Sequence, residues 1–287
     1  MTGDRPGTES RSRPIESDAI RAWPIRLARQ HPIAAFGVVA YAVSWACWIP
    51  IALRHDVVER GDGWPTHFPG LLGPLIAALV VTALIGGRPG LRELSRHMTR
   101  WRLGWSGWAL ALGTPILLIV VSLPFDVHRS WGSFGDFNGL PHFGPLGVWL
   151  ALILINGFGE ETGWRGFVLP RLRAKYGLVT SSLVLTVLWG AWHAPLFVIL
   201  ETFRGFNAGS LVGFVIGLAA GSLVLAWLYE RTGASILAVA VWHATYNVAA
   251  ATGHSAVRGA IATTLVIMWA VVIVVRNRDR ALFGTVG

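Results

Sequence analysis

The sequence is poor in charge and nearly free of cysteine. Charged residues fill 14% of its 287 positions, against about 25% in a soluble chain, so water is not its main solvent. The single cysteine, Cys47, rules out an intrachain disulfide and a Cys-rich zinc site. It is expected to pack as a small apolar residue. No cleavable signal peptide is expected, because the first apolar run begins only near Pro32 and has no small-residue cleavage site behind a short core. No internal repeat or low-complexity tract occurs beyond the polar N-terminal segment.

Apolar length is abundant by contrast, with hydrophobic residues at 53% of positions. Crossing hydrocarbon takes about 20 apolar residues in a helix, since every backbone polar group must be satisfied within the segment. Eight stretches approach that length: 32–53, 68–85, 105–124, 145–165, 178–200, 208–229, 234–251 and 259–275. They predict an all-α membrane protein, a polytopic bundle of about eight transmembrane helices. The predicted organisation is a disordered cytoplasmic tail over 1–31, a membrane domain over 32–275, and a cytoplasmic tail over 276–287.

The formal charge of +9 comes from 24 basic residues, nearly all arginine. Nineteen of the 24 fall in the N-terminal segment and the loops on its side of the spans, and five fall in the opposite loops. The positive-inside rule then gives a multi-pass protein of the cell membrane with both termini cytoplasmic. Its basic charge is matched to anionic lipid headgroups rather than to nucleic acid. Trp23, Trp64, Trp101, Trp105, Trp131 and Trp149 lie near predicted span ends, as an interfacial aromatic belt requires. Gly213, Gly217 and Gly221 recur every fourth residue of the sixth span and predict close helix packing there.

Thirteen of the fifteen acidic residues sit in tails, loops or helix ends, leaving Glu160 and Glu161 inside a span; of nine histidines only His193 and His243 do so. His67 sorts with the loop and interface histidines. Ionisable groups at membrane depth cost several kcal/mol unless paired or hydrated, which makes these four functional candidates. Glu161 and Arg165 have the i,i+4 order of a helical ion pair, which leaves Glu160 as the free carboxylate and a candidate general base. Pro195 is expected to kink the fifth span just after His193 and to free backbone carbonyls. His243 and Asn247 share one helix face. They are placed either to donate hydrogen bonds to an oxyanion or to offer ligands to a metal. Plainer explanations stand beside each reading: loop arginines pairing both acids, a satisfied core histidine, an interhelical clamp.

These segments together resemble the CPBP family of intramembrane endopeptidases, named for CAAX prenyl processing and bacteriocin processing. Glu160, Glu161 and Arg165 match its Glu-Glu-x-x-x-Arg motif, and His243 and Asn247 match its His-x-x-x-Asn motif. His193 matches the end of Phe-x-x-x-His, with Trp189 where the family usually has Phe. The resemblance covers about 145–251, the expected protease core. It implies a glutamate-dependent or metallo-endopeptidase in which Glu160 and His193 activate water while His243 and Asn247 stabilise the oxyanion. The implied substrate is a peptide or a lipidated protein. The sequence itself assigns no cofactor; a divalent metal such as zinc, if held, would take Glu160, His193 and His243. Two rivals remain: a proton-coupled transporter, and a non-catalytic immunity or scaffold protein that keeps the helices.

Overall fold

The computed structural model describes residues 25–125, 131–252 and 256–276. Its helices follow the apolar runs: α1 (Pro32–Leu53), α2 (Phe68–Met98), α3 (Gly104–Phe125), α4 (144–173), α5 (Leu178–Trp192), α6 (Ala208–Arg231), α7 (Ile236–Ala251) and α8 (Ala256–Arg276). The chain is an all-α polytopic membrane protein. Helices α1, α2, α3, α6 and α8 are each long and apolar enough to cross a bilayer, while α5 and α7 are apolar but shorter. Most of the predicted N-terminal tail, with Trp23, and residues 277–287 of the C-terminal one lie outside the described residues. Residues 25–30 are helical and lead into α1.

Two span ends differ from expectation for local reasons. Helix α2 continues past 85 through a bend at Gly87, whose φ of 56° only glycine adopts readily. The stretch after the bend carries Arg88, Arg92 and Arg96 and is no longer apolar. Helix α4 runs on to 173. Helix α5 ends at Trp192 and, as Pro195 led one to expect, the span breaks there and resumes as one turn over Leu196–Ile199: Pro195 cannot donate to Ala191, and Ala194 N–H bonds Ala191 O at 3.1 Å and Leu196 N–H bonds His193 O at 2.8 Å. The carbonyl of Trp192 is met from α1 by Trp45 Nε1 at 3.1 Å.

The ends of α2, α4 and α6 meet the starts of α3 and α7. There Arg173 bonds Glu230, Tyr229 bonds His97, and Ser235 Oγ donates to Arg100 O. At the opposite end, loop segments fold over the bundle and are tied by isolated β-bridges of Val58 with Leu200, Arg60 with Asn138, and Gly61 with Pro141. This cover buries His67, sorted above with the interface histidines; its carbonyl accepts from Trp48 Nε1 at 2.8 Å.

Tryptophan serves the core as well as the surface. Trp64, Trp101, Trp105 and Trp131 are exposed, as a belt requires, but Trp48, Trp164, Trp192 and Trp242 are fully buried. Phe36 stacks on Phe167 and meets Trp164 edge-on, and Trp192 packs edge-on against both Trp164 and Trp48. Trp149 donates to Thr245 Oγ1 at 2.9 Å. The glycine stripe of α6 does not pack as expected. Gly217 abuts Thr263 of α8, whereas Gly213 and Gly221 face open space.

Candidate active site

The two carboxylates ride on a short regular stretch of α4, Phe158–Gly163, set between two wide π-type turns, Leu152–Gly157 and Trp164–Val168. Such turns recur at functional sites because they rotate a helix face out of its regular register. Glycine lets the stretch approach its neighbours closely. A methyl group on Gly157 would stand 2.6 Å from Ala240 O of α7, and one on Gly163 would stand 2.7 Å from Pro74 O of α2. Helix α4 is thereby pressed against both helices at the level of its acids.

Glu161 is fully buried. Its Oε1 accepts from Arg165 Nη1 at 3.0 Å and meets His243 Nδ1 at 2.7 Å. An ionised carboxylate only accepts, so Nδ1 of His243 carries a proton toward Glu161. Arg165 also lays its guanidinium over the Trp189 ring, 4.5 Å from the centroid. Among the described residues its Nε and Nη2, and Glu161 Oε2, have no hydrogen-bond partner.

Glu160, 2% exposed, does not bond a histidine directly. Its Oε1 accepts from Asn156 Nδ2 and its Oε2 from Trp189 Nε1, both at 2.6 Å. Asn247 Nδ2 donates in turn to Asn156 Oδ1 at 2.6 Å. His193, at the end of α5, meets the carbonyl of Trp189 through Nδ1 at 2.7 Å. A carbonyl only accepts, so Nδ1 is again the protonated nitrogen and Nε2 the basic one.

Trp189 stands at the centre of the group. Its ring is 5.6 Å from that of His193 and 5.6 Å from that of His243, Arg165 covers it, and its N–H holds Glu160. Phenylalanine at this position would fill the space but could not donate. Of the six residues singled out in the sequence, Glu160, Arg165, His193 and His243 lie around this indole, Glu161 is one hydrogen bond beyond it, and Asn247 reaches Glu160 through Asn156. Sequence reasoning missed two members, Asn156 and the Trp189 N–H. Asn156 had a legible signal, as a polar residue in an apolar run four positions before Glu160.

The donor set does not fit a metal as arranged. Both Glu160 oxygens accept from neutral N–H groups, and among the described residues no three His, Cys, Asp or Glu side chains lie close enough to share an ion.

Fold and site together define a polytopic α-helical membrane protein with a buried carboxylate–histidine centre built from α4, α5 and α7. Residues 142–249 match the family described as Type II CAAX prenyl endopeptidase Rce1-like. The chain is also similar to the CAAX prenyl protease 2 of Methanococcus maripaludis, at 28% identity over 218 residues, 72% of this chain and 79% of the relative. The matched segment begins with the loop before α4 and ends in α7, so it contains every residue of the centre.

Proposed function

We propose that the protein is an intramembrane endopeptidase that hydrolyses a peptide bond of a membrane-associated or lipidated protein or peptide. One observation carries the reading: residues of three helices, each polar in an apolar span, gather about one indole within a segment that matches a family of endopeptidases. In the mechanism, Glu160 and the unprotonated Nε2 of His193 activate a water. One of its protons passes to Glu160, the oxygen forms a bond to the peptide carbon, and the carbonyl electron pair moves onto oxygen. His243 in its doubly protonated form and the second N–H of Asn247 donate to that oxyanion. Glu161 steadies the imidazolium as the carboxylate of a catalytic triad does. When the C–N bond breaks, the leaving amine takes the proton held by Glu160. The reaction is glutamate-dependent, and no step passes through a metal.

The same reading assigns eight spans, both termini to the cytoplasm and the cell membrane as location, supported by the division of basic residues, nineteen against five. The protein works among lipids, its basic loops facing headgroups rather than nucleic acid. The substrate class follows from the relative's name. A quenched fluorescent peptide ending in a prenylated CAAX sequence, reconstituted with the protein in liposomes, tests the function. Wild type is expected to cleave it and Glu160→Ala to leave it intact. Proton flux without cleavage would favour a transporter, and neither activity would favour a scaffold.

A further inference from the structure

Asn156 lies outside all three motif segments, yet it is bonded to both Glu160 and Asn247 and so links them. It is 6% exposed, in the wide turn that precedes the two acids. The amide orientations follow from chemistry. An ionised Glu160 accepts only, so Nδ2 of Asn156 must face it; Oδ1 of Asn156 then faces α7 and can be met only by a donor, Nδ2 of Asn247. The hydrogen bonds therefore run one way, from Asn247 through Asn156 to Glu160, each amide polarising the next.

We propose that Asn156 is a positioning residue for Glu160, fixing the base's carboxylate and locking it to Asn247 on α7 so that base and oxyanion donor move as one unit. The inference rests on the peptidase reading above. A simpler role, clamping α4 to α7, requires only that Asn156 accept from Asn247. Positioning requires in addition that it donate to Glu160, and the two roles separate in one substitution. Asn156→Asp keeps the acceptor for Asn247 but sets a second carboxylate where Glu160 needs a donor. Asn156→Leu, of similar volume, removes both.

The test is steady-state cleavage of the prenylated peptide in liposomes, expressed per folded molecule eluting as a single species in detergent, for wild type, Glu160→Gln, Asn156→Asp and Asn156→Leu. Both Asn156 variants should lose about tenfold to hundredfold in kcat, the range for a hydrogen bond to a charged group. Their KM should stay unchanged for the molecules that are folded. Asn156→Asp turning over at the wild-type rate would reduce Asn156 to a clamp and overturn the inference alone. Wild type that fails to cleave, or Glu160→Gln that cleaves as well as wild type, would overturn the peptidase reading and the inference with it.

Discussion

Arg165 gives one N–H to Glu161 and its flat face to Trp189, and its side chain is fully buried. In the proposed mechanism its part is to neutralise Glu161. Removing one member of a buried pair strands the other's charge, which costs about 3–5 kcal/mol. Arg165→Ala should therefore lower the detergent unfolding midpoint and the yield of folded protein together with activity. A variant that is inactive but as stable as wild type, with Glu161→Gln harmless, would show that Arg165 acts on the substrate instead. This pair was legible in the sequence because i,i+4 spacing fixes proximity on a helix whatever surrounds it. The bond between His243 and Glu161 was not, since it joins residues 82 apart in sequence. Asn156 escaped notice for another reason: sorting span residues by charge passes over an amide, although an amide placed between a carboxylate and another amide orients both.

At the scale of the element, the site depends on how closely α4 approaches α7. Gly157→Ala would set a methyl 2.6 Å from a backbone oxygen that cannot rotate away, and overpacking of this kind costs about 1–3 kcal/mol. The two helices would part at the level where Asn156 meets Asn247, so stability and cleavage should fall together. Gly213→Ala, facing open space on α6, is the control and should preserve both. Equal behaviour of the two variants in unfolding and cleavage assays would contradict this account of α4. Helix cores such as 32–53 were readable because hydrophobic length in a bilayer is a one-dimensional property. The wide turns of α4 were not, because they follow from packing and leave hydropathy unchanged. The stripe of α6 misled for the same reason, as a four-residue glycine repeat marks a face that can pack without naming its partner.

Across the whole molecule, alternating helices bring the ends of α2, α4 and α6 to one side, and the β-bridged loops cover the other. On the orientation proposed from the division of basic residues, the first of these sides faces the cytoplasm. A reporter that is active only in the cytoplasm should therefore work when fused at the C-terminus, and a C-terminal reporter active only outside the cell would refute the orientation. The cover over His67 could not be read from sequence, since bridges such as Val58 with Leu200 join segments that share no pattern.

The central claim is that Glu160 and His193 act as a unit on one water, and a double-mutant cycle on peptide cleavage in liposomes tests it most directly. Groups that serve one step are strongly non-additive when removed. Glu160→Ala and His193→Ala should each abolish nearly all turnover while remaining folded in detergent, and the double variant should be little worse than either. Losses that multiply independently, or wild-type turnover in either single variant, would contradict the mechanism.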